Sequence, residues 1–167
     1  MSKLCIHLCL ILLTNSALAD TQLLNTIRTA FKHAYVFEEG AFDDTAERVS
    51  YSKGEFFFKD DLYKIIIHEP LAEEYILEDS GLTVIDNEFD QTEFIPISEI
   101  QNPFIALLLL DEPNLLEAIT TQTANVFKIS HRDFPQPLEI ILTNNRIELI
   151  KYIDQLNVTH IINFSSA

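Results

Sequence analysis

The sequence has almost no cysteine, little glycine, no tryptophan and few basic residues. Of its 167 residues, two are cysteine, three are glycine, and 11 are lysine or arginine against 26 acidic residues. Both cysteines, Cys5 and Cys9, lie among the first ten residues. The formal net charge of −15 repels nucleic acid and anionic membrane surfaces, so we expect neither of them as a partner.

The N-terminus has the order of features that is typical of a secretory signal peptide. Lys3 precedes an apolar run from Leu4 to Leu13, and the small-residue triplet Ala17-Leu18-Ala19 follows. The apolar run is too short to span a bilayer of about 30 Å as a helix. We therefore expect residues 1–19 to be a signal peptide that is cleaved after Ala19, and residues 20–167 to form one monomeric domain without cysteine.

The periodicity of apolar residues divides the remaining chain into a helix, a series of short strands and a helical interruption. Residues 21–32 have apolar side chains at helical spacing and predict one amphipathic helix. After this helix the apolar period is close to two, with short turn sequences between the segments, which favours an antiparallel meander. Strands are predicted at Ala34–Phe42, Glu47–Ser52, Glu55–Lys59, Leu62–His68, Glu74–Glu78, Leu82–Asp86, Thr92–Ile95, Ala124–Ser130, Leu138–Thr143, Arg146–Asp154 and Val158–Phe164.

Two short helices are predicted in the middle of the chain. Asn102 can cap a helix that has Pro103 at its first position, and the following run Phe104–Leu110 has no polar residue. A second helix is predicted at Asn114–Thr120. A helix that is hydrophobic all round cannot lie on a protein surface. Phe104–Leu110 is therefore either a buried core helix or a lid over an apolar concavity.

Several predicted strands carry apolar side chains on both faces, such as Ile65 and Ile67 against Ile66. Both faces of the sheet therefore need cover. A curved sheet or an open barrel with helices laid into its mouth meets this need. We expect an α+β fold, in which a curved antiparallel sheet forms an incomplete β-barrel closed by the N-terminal helix and the short central lid helices.

The sequence contains few signs of catalysis. His33, His68, His131 and His160 lack the spacing of a zinc site, and we interpret them as surface or turn residues. Adjacent acidic residues such as Glu38-Glu39 point to opposite faces of a strand, so they cannot act together on one bond. Neither a glycine-rich phosphate loop nor a G-x-S-x-G motif is present. We expect no enzymatic activity, no cofactor and no metal.

The order of motifs along residues 20–167 resembles the periplasmic outer-membrane lipoprotein carrier (LolA) family. The resemblance begins with a helix before the first strand and ends with a terminal hairpin. The matching motifs are Gly54-x-Phe56-x-Phe58, Leu62-Tyr63-Lys64-Ile65, Pro70, Asp79-Ser80-Gly81-Leu82, Phe89-Asp90-Gln91, Pro103 with Leu107 to Leu110, and Asp154-x-x-Asn157-x-Thr159 leading to Phe164.

The resemblance implies a fold and a function. Family members are incomplete antiparallel barrels closed by helices, and they ferry acylated lipoproteins from an inner-membrane ABC transporter to an outer-membrane acceptor. By resemblance, we expect a periplasmic carrier with a lipoprotein or lipid cargo and these two membrane partners. Lys64 stands where the family has the arginine that ties the lid, and we expect it to lock the lid. The residues expected to bind lipid are Tyr63, Ile65, Ile67, Phe104, Ile105, Leu107, Leu108 and Leu109.

Two other functions are compatible with the sequence. One is a LolA-like accessory carrier of another envelope lipid or polyene, with which Lys64 and the motif Pro70-x-x-Glu73 agree. The other is a periplasmic interaction module that carries nothing and whose apolar interior is simply a core. A solvent-accessible cavity beneath the helix at Phe104–Leu110 would favour the two carriers over the interaction module.

Overall fold

The computed structural model describes most of the chain after the predicted signal peptide. The described ranges are residues 23–43, 45–110, 112–123, 125–132 and 134–167. The signal-peptide prediction therefore lies outside the described residues. Within them, no helix is long and apolar enough to cross a membrane.

In these ranges the chain forms three short α-helices and one sheet. Helix α1 covers residues 23–31, α2 covers Pro103–Leu109 and α3 covers Glu112–Ala118, and a 3-10 turn at Ile97–Glu99 precedes α2. The strands are β1 (Tyr35–Asp43), β2 (Arg48–Lys59), β3 (Leu62–Glu69), β4 (Glu73–Glu78), β5 (Gly81–Asp86), β6 (Gln91–Pro96), β7 (Ile119–Thr123), β8 (Val126–Ile129), β9 (Leu138–Thr143), β10 (Arg146–Ile153) and β11 (Thr159–Ser166).

The strands form one antiparallel sheet in the order β6-β5-β4-β3-β2-β1-β11-β10-β9-β8-β7. Strand β1 pairs with both β2 and β11, so the first and the last strands of the chain meet in the middle of the sheet. The edge strands β6 and β7 are not paired with each other in the described residues, and the curved sheet stays open. The predicted α+β fold with an incompletely closed antiparallel sheet is confirmed.

The two faces of the sheet have different neighbours. We call the face against which α1 and α2 pack the inner face, and the opposite one the outer face. The ring centroid of Phe56 on β2 lies 6.2 Å from that of Phe31 on α1 and 6.0 Å from that of Phe104 on α2. Since side chains alternate along a strand, Phe57 is on the outer face. The inner face and the helices thus form the core.

Strand β2 differs from the prediction, which placed a turn between two separate strands, Glu47–Ser52 and Glu55–Lys59. The strand is continuous, and its pairing with β3 shifts register between Lys53 and Gly54. A Cβ atom at Gly54 would collide with the backbone oxygen of Ile66 and lie 2.8 Å from the Phe37 ring. The glycine therefore marks an irregularity with a close approach of neighbouring atoms, and not a turn.

The region after α3 also differs from the prediction. The predicted helix at Asn114–Thr120 is wrong at its C-terminal end, because α3 stops at Ala118 and β7 begins at Ile119. Isoleucine and threonine are β-branched, and such residues favour strands. Pairing of β7 with β8 completes the edge of the sheet.

Candidate functional site: an apolar cavity with a polar end

A cavity of about 190 Å³ lies between the inner face and α2. Its position in the fold follows from strand alternation, because β1, β2, β3 and β11 turn their apolar side chains toward the helix. The apolar residues that line it are Phe37, Phe56, Ile65, Ile67, Phe104, Ile105, Ile162 and Phe164.

Aromatic contacts fix the two helices above the sheet. Phe104 of α2 lies within 6.4 Å of Phe164 and 6.5 Å of Phe31, measured between ring centroids. Phe164 in turn lies 5.4 Å from Tyr35 in an edge-on arrangement. Such aromatic pairs contribute about 0.5–1.5 kcal/mol each beyond the area they bury. The cluster therefore holds α2 over the cavity while leaving its side chains in direct contact with the cavity space.

Asn102 sets the position of the first turn of α2. Its side-chain oxygen accepts hydrogen bonds from the backbone N–H groups of Phe104 (2.9 Å) and Ile105 (3.1 Å), as the sequence predicts for a cap before Pro103. Its Nδ2 donates to the hydroxyl of Tyr152 on β10 at 3.1 Å. One side chain thus starts the helix and ties it to the sheet.

One end of the cavity is polar. Nδ1 of His160 lies 2.8 Å from Oε1 of Glu39, and Nε2 lies 3.3 Å from Oδ2 of Asp154. The hydroxyl of Ser52 donates to the second oxygen of Glu39 at 2.8 Å. The Tyr152 ring stacks on the imidazole with a centroid distance of 4.5 Å and an angle of 4°. We call these five residues, together with Asn102, the polar end.

The contacts of the polar end shift the pKa values of its ionisable groups. Burial by itself lowers the pKa of His160, but the hydrogen bonds and charges of Glu39 and Asp154 outweigh it, and the pKa is raised. Burial likewise opposes ionisation of Glu39, yet the hydrogen bonds from His160 and Ser52 and the charge of His160 hold its pKa below the usual range. Both shifts favour an ion pair between Glu39 and His160.

The arrangement suits neither a metal ion nor a catalytic triad. The two carboxylates approach opposite edges of the His160 ring, so they cannot converge on one ion. In the described residues no group of three ligating side chains could hold a metal. Ser52 donates to Glu39 and not to the imidazole, whereas an activated serine has to contact its base. The interpretation of His160 as a surface or turn residue is wrong, because its side chain is only 16% exposed.

Two further hollows flank α2. A groove of about 1060 Å³ runs between the 3-10 turn, α2, α3 and the end of β8. It is larger than the cavity, but its lining is mostly polar, including Glu117, Arg132 and Gln155. A pocket of about 130 Å³ lies between α1, α2 and Tyr63. Because an acyl chain needs apolar walls, the cavity is the better candidate site.

The structure distributes the predicted lipid-binding residues over these three hollows. Ile65, Ile67, Phe104 and Ile105 line the cavity together. The remaining four lie elsewhere: Tyr63, Leu107 and Leu108 line the small pocket, and Leu109 lines the groove. Lipid binding by any of the eight residues stays a prediction.

Lys64 lies on the outer face of β3, next to the inward-facing Ile65. Its Nζ is 3.3 Å from Oε1 of Glu74 on β4, and both side chains are about a quarter exposed, at 28% and 27%. Helix α2 packs on the other face of the sheet, so this placement does not bring Lys64 to the lid. The ion pair with Glu74 accounts for the position of Lys64, and lid locking by Lys64 stays a prediction.

Three phenylalanines that line the cavity were not among the residues predicted from the sequence. Phe37, Phe56 and Phe164 stand at alternating positions of β1, β2 and β11, and this period-two pattern was a usable signal. The pairing of Glu39 with His160 gave no such signal, since the two residues are 121 positions apart. Only the meeting of β1 with β11 brings them together.

No protein-family model matches the sequence, and no curated protein matches it significantly. Several solved structures resemble its fold. The complex of MucA and MucB from Pseudomonas aeruginosa matches at 12% identity and a TM-score of 0.48, over 89% of this chain and 56% of that one. The chain thus spans little more than half of that structure's chain.

Two smaller proteins match over most of their length. A LolA superfamily protein from Nitrosomonas europaea has 10% identity and a TM-score of 0.44, with 85% of this chain and 90% of that chain covered. LprF from Mycobacterium bovis has 10% identity and a TM-score of 0.37, with 88% and 91% covered. At these identities and TM-scores the likeness concerns the fold alone.

Proposed function

We propose that this chain is a carrier that shields an acyl chain between the inner face of its sheet and α2. The supporting observation is the cavity itself, which has eight apolar side chains in its wall and a helix as its cover. A solid core beneath α2 would have favoured the interaction module. The cavity favours a carrier.

Ligand entry requires α2 to move. A volume of about 190 Å³ is below the roughly 300–1,000 Å³ of typical small-molecule sites. Phe104 and Ile105 occupy the same walls that an acyl chain would cover. A helix of seven residues is marginal without packing, so an acyl chain can replace its contacts at a small net cost. Each methylene buried contributes about 0.8 kcal/mol, and release becomes possible because the returning helix competes for the same surface.

The proposed cargo is an acylated lipoprotein or another envelope lipid, and the proposed compartment is the periplasm. The signal-peptide pattern of residues 1–19 and the sequence resemblance to the LolA family support both. On the same grounds we propose delivery from an inner-membrane ABC transporter to an outer-membrane acceptor, by a monomer without enzymatic activity.

Binding of an uncharged, environment-sensitive dye such as Nile red tests the carrier function. We expect fluorescence enhancement at a single saturable site, and displacement of the dye by 1-monodecanoylglycerol. Absence of saturable binding to the folded protein would contradict the proposal. Mass spectrometry of material that co-purifies from the periplasm then distinguishes lipoprotein from free lipid.

A further inference from the structure

We propose that the cavity selects a ligand whose headgroup carries hydrogen-bond donors and no negative charge, such as a hydroxyl, amide or ammonium group. This inference rests on the carrier function proposed above and adds the chemical class of its ligand. It comes from the polar end, where Glu39, Tyr152 and His160 line the same cavity as the apolar walls.

The polar end is negative in every protonation state of its histidine. Two carboxylates, Glu39 and Asp154, contact one imidazole. The summed charge of these three groups is −1 when His160 is protonated and −2 when it is neutral. Glu73 and Asp86 face each other across β4 and β5 on the same inner face. Burial raises the pKa of Tyr75, and the hydrogen bond and charge of Glu73 and the charges of Glu39 and Asp86 raise it further. A carboxylate or phosphate headgroup placed there would be repelled.

The hydrogen-bonding capacity of the polar end points the same way. Both ring nitrogens of His160 are engaged by carboxylates, and the hydroxyl of Ser52 donates to Glu39. The hydroxyl of Tyr75 donates to Glu73 at 2.5 Å. These donors are used inside the protein. Tyr152, whose hydroxyl oxygen accepts from Nδ2 of Asn102, can still donate its O–H to a neutral headgroup. A carboxylate has about four lone-pair sites, so Glu39 can still accept hydrogen bonds from a ligand after the two that it receives.

The direction of the ligand follows from the order of residues on β1. Glu39 lies at the polar end, and Phe37, the next residue on the inner face, belongs to the apolar wall with Phe164 and Phe56. An acyl chain lying along Phe37 and Phe56 places its headgroup beside Glu39. A neutral or cationic headgroup with donors is matched there by Glu39, whereas a carboxylate or phosphate is repelled.

Displacement of Nile red by three ligands of ten carbons tests this selectivity. The ligands are 1-monodecanoylglycerol, decylammonium and decanoate, each used at pH 7 below its micelle concentration. We expect the first two to bind at least about tenfold more tightly than decanoate. The carboxylates of the polar end repel the carboxylate of decanoate, and in a partly buried site water and salt screen this repulsion only weakly. The ligands share a chain length, so the comparison isolates the headgroup.

Two charge-neutralising variants separate the local contact from the overall charge of −15. Glu39→Gln should lower the ratio of the decanoate Kd to the decylammonium Kd by about fivefold or more. Glu38→Gln removes the same charge one residue away, on the outer face, where Glu38 pairs with Lys53 at 3.0 Å. It should leave the ratio within about twofold. Circular dichroism confirms that each variant is folded.

The outcomes distinguish this inference from the carrier function. Equal affinity for the three ligands, or equal effects of the two variants, overturns the selectivity and leaves the carrier standing. Failure of the dye and of all three ligands to bind overturns both. Should Glu39→Gln fail to fold, the wild-type ratio is measured in 20 mM and 500 mM NaCl. A ratio that persists in high salt supports the local contact, and one that disappears overturns it.

Discussion

The two faces of the sheet carry similar side chains and have different roles. Along β1 and β3, Glu39 and Ile67 point into the concavity, and their neighbours Glu38 and Ile66 point away from it. Glu39 forms contacts with His160 and Ser52 at the end of a cavity, whereas Glu38 forms an exposed pair with Lys53. Residue type therefore says little about role, and the face of the strand decides it.

This alternation supplies matched pairs for experiment. Glu39, Phe56 and Ile67 each have a chemically similar neighbour on the outer face, so the same substitution can be made on both sides. Differences within a pair then report the cavity, and effects common to both report general stability.

The largest difference is expected between Phe56 and Phe57. Phe56 is 1% exposed and contacts Phe31, Phe104 and Phe164. Phe56→Ala should lower the free energy of unfolding by about 3–5 kcal/mol, because it removes a buried ring and leaves a void. Phe57→Ala, at a half-buried outer position, should cost clearly less. Urea denaturation measures both, and equal losses would show that the aromatic cluster is not the core.

The second difference, between Glu39 and Glu38, concerns pH, because Glu39 contacts His160. The raised pKa of His160 gives stability that is complete below its ordinary value of about 6.5 and is lost as pH rises through the folded-state value. The lowered pKa of Glu39 gives stability that is present above its ordinary value of about 4.3 and is lost as pH falls through its folded-state value. Both belong to one contact, which should therefore stabilise most at about pH 4.3–6.5.

Glu39→Gln tests this pH window. It should destabilise the protein by about 1.5–3 kcal/mol at pH 5.5, the usual loss for a hydrogen bond to a charged group, and by less at pH 8.5. Glu38→Gln, the control, should change stability equally little at both pH values, since its pair is exposed. In NMR titration, the pKa of His160 should fall in Glu39→Gln. A pKa that stays in place would contradict the pairing.

The third difference concerns ligand affinity and the pair Ile67 and Ile66. Both side chains are half-buried, and only Ile67 lines the cavity. Ile67→Asn should weaken binding of Nile red about tenfold, because an amide in the wall loses apolar contact and needs a partner. Ile66→Asn should leave the Kd within about twofold. A stronger effect of Ile66→Asn would place the ligand on the outer face.

The sequence predicted the elements of this fold better than their long-range contacts. Local signals were sufficient for most strands, for the cap at Asn102 and for the apolar helix α2. They failed at β7, where the helical pattern of α3 was extended into the β-branched residues after Ala118. At Gly54 they were misread, because a single sequence does not distinguish a glycine that permits close packing from a glycine in a turn.

The candidate site was predicted only in part. Ile65, Ile67, Phe104 and Ile105 were expected to bind lipid because the resemblance implies a lid helix over an apolar sheet, and all four line the cavity. The polar end could not be predicted, because Glu39 and His160 meet through the pairing of β1 with β11. The apolar periodicity of a single segment does not show with which other strand that segment pairs.

The smallest effect is expected at Lys64. Its ion pair with Glu74 lies on the outer face, and partly exposed pairs contribute about 0–1 kcal/mol. Lys64→Leu should therefore change the free energy of unfolding by less than about 1 kcal/mol and leave the affinity for 1-monodecanoylglycerol unchanged. Retention of ligand for longer than in the wild type, measured by transfer to acceptor vesicles, would restore a role for Lys64 in the lid.

Isoleucine methyl NMR tests the central claim most directly, because isoleucines lie on both faces. The inner-face and lid residues Ile65, Ile67, Ile105 and Ile162 line the cavity, and Ile66, Ile76 and Ile161 alternate with such residues on the outer face. On titration with 1-monodecanoylglycerol, the four cavity methyl signals should shift together and saturate while the three outer signals stay in place. Shifts confined to the outer methyl groups, or no shifts at saturating ligand, would contradict a carrier that holds its cargo beneath α2.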